Sequence, residues 1–182
     1  TSCGGDDNTY SPTAEDIQAA INNMAGYYTG TFVSYFISNN QSTDEITLPN
    51  LQWQANEKTI TLRDFPLSAL ARGIQGDDQL AEAIASITEK QALILNYYLC
   101  YSWNKEYAFS LVADDIQFEV ELNGKSSVVK VEFYQNPSYT NVQGDNDSQR
   151  IQIVFTSMLV DKMPVQFKPL GFTLTSTKKS KT

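Results

Sequence analysis

Carboxylates and aromatic rings are the groups in this sequence that could do chemistry. The 182-residue chain holds 21 Asp and Glu, 13 Lys and Arg, ten tyrosines, two tryptophans and no histidine, for a net charge of -8. Without histidine, the Ser-His-Asp and Cys-His nucleophile systems, His-ligated zinc and copper sites and a histidine switch near neutral pH are excluded. Two carboxylates on either side of a sugar still suffice for glycoside hydrolysis. Asp115 and Glu132 are the one such pair whose proximity the sequence argues, because they flank a hairpin closed by Asn123-Gly124. Adjacent acids such as Asp44-Glu45, Asp77-Asp78 and Asp114-Asp115 point to opposite faces of a strand and do not converge on one substrate. Asp78 suits the start of a helix, where a carboxylate caps or complements the dipole.

Metal and cofactor signals are weak. The run Gln143-Gly144-Asp145-Asn146-Asp147-Ser148-Gln149 begins like a calcium loop, with oxygen ligands at alternate positions. It lacks the glycine and the terminal Glu of that pattern, and a polar hairpin tip is the better reading. No metal site is expected. The nine glycines build neither GxGxxG nor GxxxxGK[ST], and no cofactor is expected. A pI near 4.5 repels phosphate backbones, and the basic cluster Lys178, Lys179 and Lys181 lies in a Ser/Thr-rich tail, so nucleic acid is not an expected partner. The charge is uneven: residues 1–89 carry 12 acidic and 3 basic groups, whereas residues 90–182 carry 9 and 10.

Aromatic side chains with polar handles stack on sugars or enclose apolar ligands. Tyr28, Trp53, Tyr98, Tyr101 and Trp103 are the candidate binding residues, although most rings of a β protein this size must fill its core.

The leader Thr1-Ser2-Cys3-Gly4-Gly5-Asp6-Asp7-Asn8 places a cysteine among small and acidic residues, ahead of any periodic hydrophobic pattern. Such a segment makes sense as a tether whose thiol carries lipid. It resembles the processed start of a bacterial lipoprotein, and the Gly-Gly-Asp-Asp run is similar to the acidic export signal of surface lipoproteins in the Bacteroides group. The resemblance implies that Cys3 is the lipid-attachment residue and the mature N-terminus, and that the protein sits at the outer membrane or cell surface of a Gram-negative envelope. A disulfide between Cys3 and Cys100 is unattractive on this reading, since Cys100 lies in an apolar strand pattern and is read as a small buried hydrophobe.

The elements that must position these residues follow from periodicity. Ser11-Pro12-Thr13 with Glu15 and Asp16 opens a helix over about 13–25, carrying Ile17, Ile21 and Met24 on one side and stopped by Gly26. About nine strands follow, at 27–37, 45–54 (interrupted by Pro49), 57–63, 91–103, 106–113, 115–122, 127–135, 149–160 and 165–176. Pro169 and Gly171 point to a bulge or an edge in the last. A two-helix insertion near 65–88 carries Leu67, Leu70 and Ile74, then Leu80, Ile84 and Ile87. The fold class is α+β, mainly β: a curved antiparallel sheet closed as a barrel or a sandwich. Residues 1–12 form the leader, 13–177 one domain and 178–182 a basic disordered tail.

Asn-Gly turns fix register, so residues whose numbers add to 247 stand opposite each other. Ile116 meets Val131, Phe118 meets Val129 and Val120 meets Ser127 on a dry face; Gln117 meets Lys130 and Glu119 meets Val128 on a wet one. Asp115 then opposes Glu132, and either the pairing frays there or a cation sits between them. At Asn104-Lys105 a three-residue loop, setting Trp103 against Tyr107, Tyr101 against Phe109 and Leu99 against Leu111, is preferred over a two-residue loop setting Tyr101 against Ala108. It gathers the large side chains on one face.

The opening Gly26-Tyr27-Tyr28-Thr29-Gly30 followed by consecutive hairpins is loosely similar to calycin or lipocalin-like secreted proteins of the same bacterial group, a resemblance that implies a ligand cavity. The sequence therefore predicts a non-enzymatic, lipid-anchored envelope protein that binds a small molecule, a glycan or a partner protein. The alternatives are a glycan hydrolase using Asp115 and Glu132, and a structural or inhibitory interaction module.

Overall fold

A computed structural model describes residues 11–103, 106–134, 141–144, 148–176 and 179–180. In chain order its elements are α1 (Ala14–Met24), β1 (Gly26–Ser38), β2 (Gln41–Ala55), β3 (Thr59–Pro66), a 3-10 helix (Leu67–Gly73) and α2 (Asp78–Ala85). There follow β4 (Lys90–Trp103), β5 (Glu106–Val112), β6 (Ile116–Leu122), β7 (Lys125–Phe133), β8 (Asn141–Gly144) and β9 (Gln149–Val160). The last are β10 (Met163–Pro164), β11 (Leu170–Ser176) and β12 (Lys179–Ser180). No helix among the described residues is long and apolar enough to cross a membrane.

Local chemistry explains the element ends. Thr13 caps α1 in a capping box with Asp16, whose carboxylate accepts the Thr13 N–H at 3.0 Å. Asp77, one residue before the acid singled out from sequence, caps α2 by accepting the Leu80 N–H at 3.0 Å, which leaves Asp78 in the first turn. Three hairpins turn on residue pairs with positive φ at both positions: Asn39-Asn40, Asn123-Gly124 and Asp161-Lys162. That geometry is the type I′ turn, whose twist matches the strands it joins.

The ladders are antiparallel and run in a circuit: β1-β2-β3-β4-β5-β8-β9-β11 and back to β1, with β7 and β6 extending from the second half of β9. The circuit is thin in one place. β2 and β3 pair only at Gln54↔Thr61 and Ala55↔Ile60, beside their connecting turn, and then part. The sheet is the curved, mainly β antiparallel sheet expected, curled as a half-barrel.

Inside the curl, Phe32, Phe65, Phe155 and Phe172 are fully buried and mutually packed. Phe172 lies 5.3 Å from Phe32, 5.4 Å from Phe65 and 6.1 Å from Phe155, centroid to centroid. These rings join β1, β3, β9 and β11, and burial of each contributes roughly 1.5–3 kcal/mol. α1 contributes Ala20 and Met24 to the core, and α2 contributes Leu80 and Ile84.

The Asn123-Gly124 hairpin has the register derived from sequence, Ile116↔Val131 through Leu122↔Lys125. The hairpin at 104–105 does not. Trp103 pairs with Glu106, Ser102 with Tyr107 and Tyr101 with Ala108, after which a bulge at Cys100 sets Leu99 against Phe109. The bulge satisfies both the short loop and the burial of Leu93, Leu95 and Tyr97 on one face, which the three-residue loop was invoked to achieve. Cys100 is half-buried and disulfide-bonded, not a core hydrophobe. Cys3 lies outside the described residues. Pro49 does not end β2, because a bulge between the Leu48 and Leu51 pairings absorbs it. Strand β8, absent from the expected set, links β5 to β9; Asn-Val-Gln-Gly is too short and too polar to announce itself. β11 begins after Pro169 and is paired on both sides, so it is no edge. In the tail, expected to be disordered, Lys179 and Ser180 pair with Tyr28 and Tyr27 along β1.

On the outer surface Gly171 lies beneath Tyr35, whose hydroxyl is 2.9 Å from both Thr173 Oγ1 and Gln152 Nε2. A Cβ at Gly171 would stand 2.3 Å from the Tyr35 ring, whereas one at Gly124 would meet nothing within 4 Å. Gly171→Ala is expected to cost about 1–3 kcal/mol through forced displacement of that ring, and Gly124→Ala about 1 kcal/mol through its left-handed backbone alone. Thermal unfolding by circular dichroism checks the order; an unchanged Tm for Gly171→Ala would refute the packing argument.

Candidate functional site

The parting of β2 from β3 creates the site. Asn56 tightens the turn between them, its Oδ1 accepting the Lys58 and Thr59 N–H groups at 3.0 and 2.9 Å. Two residue pairs later β3 meets a bulge against β4, between Leu62↔Leu93 and Phe65↔Gln91. Leu62 and Phe65 stay buried, and the extra residue turns both Arg63 and Asp64 outward. Bulges that re-aim side chains recur beside functional sites.

The resulting cavity, about 380 Å³, is bordered by Tyr27, Thr29, Gln52, Gln54, Thr61, Arg63 and Asp64, with Tyr28 and Trp53 reaching it from the core side. Tyr27 is 46% exposed, and its hydroxyl accepts a hydrogen bond from Gln54 Nε2 at 3.2 Å. Amides, hydroxyls, one guanidinium and one carboxylate therefore surround a flat aromatic face. A second cavity of about 370 Å³ continues along the same seam, shares Asp64 and is bordered by Leu48, Leu51, Pro66, Ala69 and Arg72. Arg72 spans the seam, donating to Ser34 Oγ at 3.1 Å and to the Asp44 carbonyl at 2.5 Å.

Of the residues picked from sequence, Tyr28 and Trp53 come together. Their rings stack at 5.6 Å and 3° between planes, and both are buried. Tyr28 donates to the Met24 carbonyl at 2.7 Å, and the Trp53 indole N–H to Gln149 Oε1 at 2.5 Å. They are first of all structural, with edges at the groove. Tyr98 is 50% exposed and stands elsewhere, in a cleft of about 450 Å³ beneath α1 with Ile17, Ile21, Leu99 and Phe109. The side chains of Tyr101 and Trp103 lie outside the described residues, as do Asp145 to Asp147, although Gly144 and Gln149 do pair as hairpin ends.

Asp115 and Glu132 both have protein partners. Asp115 accepts the Phe133 N–H at 2.8 Å and stands 3.5 Å from Lys130 Nζ, while Glu132 accepts from Ser157 Oγ at 2.7 Å. β6 starts at Ile116, so the ladder ends short of Asp115, and Lys130 stands beside that acid. Neither acid borders the seam cavities.

Sequence reasoning missed Tyr27, Gln52, Arg63 and Asp64. A signal existed in Leu62-Arg63-Asp64-Phe65, where two adjacent charges between two apolar residues break the period-2 pattern and mark a bulge.

Beneath α1, Tyr97 donates to the Asn56 carbonyl and meets Phe109 edge-on at 4.8 Å. Burial pushes its hydroxyl up to about 12, and the Glu57 carboxylate adds to the rise. An unfolded tyrosine titrates near 10. Its contribution to stability is thus complete below pH 10 and is lost as pH climbs to about 12. Denaturant unfolding between pH 9 and 12 is expected to show a steeper loss in the wild type than in Tyr97→Phe; equal slopes would contradict the assignment.

A family model described as a domain of unknown function, DUF4840, matches residues 23–160. No curated protein matches the chain. Among solved structures, the ywiB protein from Bacillus subtilis is similar, at 10% identity and a TM-score of 0.34, over 84% of this chain and 93% of that one.

Proposed function

We propose, for a chain that belongs to the DUF4840 family over residues 23–160, that it is a lipid-anchored envelope protein whose ligand site is the outer groove between β2 and β3. The ligand class we infer is a glycan or similar polyol. The observation that carries this is the groove itself: the exposed Tyr27 ring ringed by Thr29, Gln52, Gln54, Thr61, Arg63 and Asp64. A sugar presents apolar C–H faces to aromatic rings and hydroxyls to amides, guanidinium and carboxylate. Binding is favoured over hydrolysis because Asp64 is the only carboxylate among the described residues bordering this cavity, and cleavage needs two.

A glycan array, followed by calorimetry on any hit, tests the reading. Tyr27→Ala and Asp64→Asn are each expected to weaken binding about tenfold, a loss of roughly 1.4 kcal/mol, with little change in Tm because both side chains are exposed. A glycan whose affinity is indifferent to both changes would rule the groove out.

Anchoring rests on Cys3-Gly4-Gly5-Asp6-Asp7, which lies outside the residues matched by the family model. More than one acyl chain is needed for stable attachment, and the multiply acylated bacterial type supplies them. Cys100 is disulfide-bonded and Cys3 is the only other cysteine of the chain, so acylation of Cys3 and an intramolecular disulfide exclude each other. Either state belongs to an exported protein; the small and acidic neighbours of Cys3 support acylation, and the disulfide at Cys100 opposes it. Metabolic labelling with an alkyne fatty acid is expected to mark the wild type in the outer-membrane fraction and to leave Cys3→Ser unmarked and soluble. A cross-linked Cys3–Cys100 peptide in a non-reducing digest of native material, without acyl adduct, would overturn the anchor.

A further inference from the structure

Far along the sheet from the seam, the outer face of β7 and the end of β9 hold a cavity of about 650 Å³, larger than either seam cavity. Gln117, Val128, Lys130, Leu159, Asp161 and Lys162 border it. Register gathers them: Lys130 stands between Gln117 on β6 and Leu159 on β9. The sign of the local charge opposes that of the whole chain, with two ammonium groups and one carboxylate in a protein of net charge -8. The carboxylate is already committed, since Asp161 Oδ1 accepts the Val128 N–H at 2.9 Å. Among the described residues the half-exposed Lys130 has one ion pair, with the half-buried Asp115 at 3.5 Å, and its accessible side leaves the ammonium open to a further anion.

Lys162 is the telling residue. It takes the second position of the Asp161-Lys162 type I′ turn at φ 68°, where glycine fits without steric strain, as Gly124 does in the equivalent turn at φ 75°. Lysine makes the turn harder to form, and what it adds in return is an ammonium group at the cavity.

We propose that this cavity binds a phosphate group, held by the Lys130 and Lys162 ammoniums with the Gln117 amide as a further donor. The two ammonium groups complement the negative charge of a phosphate, and Val128 and Leu159 offer an apolar flank to whatever the phosphate is attached to. Free phosphate and the phosphodiester of an anionic lipid headgroup share this chemistry.

The test uses the full chain carrying Cys3→Ser, so that no acyl chain inserts by itself. Amide shifts are followed by NMR during titration with inorganic phosphate, and co-sedimentation is measured with phosphatidylglycerol–phosphatidylcholine vesicles against phosphatidylcholine alone. Phosphate-induced shifts at Val128, Lys130 and Asp161 support the site with a soluble ligand. Salt-sensitive binding to the anionic vesicles alone supports it with a headgroup. In either case Lys162→Gly is expected to weaken binding about tenfold while Tm stays equal or rises, which separates loss of the ammonium from loss of the fold. No response to either probe, or full binding by both Lys162→Gly and Lys130→Gln, overturns the proposal.

Discussion

Everything in this fold is arranged around four phenylalanine rings. Phe32, Phe65, Phe155 and Phe172 come from strands far apart in sequence, and their contacts at 5.3 to 6.1 Å require β1, β3, β9 and β11 to wrap around one point. Aromatic pairs at such distances add roughly 0.5–1.5 kcal/mol each beyond burial. Where these rings meet, the inside of the curl is occupied by side chains. The cavities described here lie on the outside, where strands part or a turn overhangs. The cavities described thus differ in place from the interior one that the resemblance to calycins implies.

The legible parts of the fold were those set by backbone chemistry over a few residues. Asn123-Gly124 dictates a turn with positive φ at both positions, and every pairing of β6 with β7 follows from it. Helix α1 is similarly local, its start fixed by Thr13 and Asp16. The hairpin after Trp103 could not be read in the same way. Its register depends on a bulge at Cys100, which trades one ladder step for burial on the correct face, and side-chain size alone does not reveal such a trade. β8 was invisible for a different reason: four polar or small residues become a strand only because β5 and β9 stand on either side.

The candidate site was less legible still, because it arises from a missing ladder. Nothing in residues 41–53 says that their second edge will go unpaired by β3; that follows from where Phe65 must point and from the bulge that lets it do so. Tyr28 and Trp53 were found for their chemistry, yet their stacking and their bonds to Met24 and Gln149 make them pillars of the wall beside the groove. Asp115 and Glu132 show the reverse case. The structure gives each acid a partner of its own: Phe133 N–H and Lys130 for Asp115, Ser157 for Glu132.

The loop of strands is sewn at one join by two stitches. Beyond Gln54 and Ala55 no ladder joins β2 to β3, while β1 stays laddered to β11, and the Arg72 side chain is a tie rod from the far bank to Ser34 and Asp44. The groove's two banks are thus held to a common width by that tie rod and by the core packed beneath them, not by a ladder of their own.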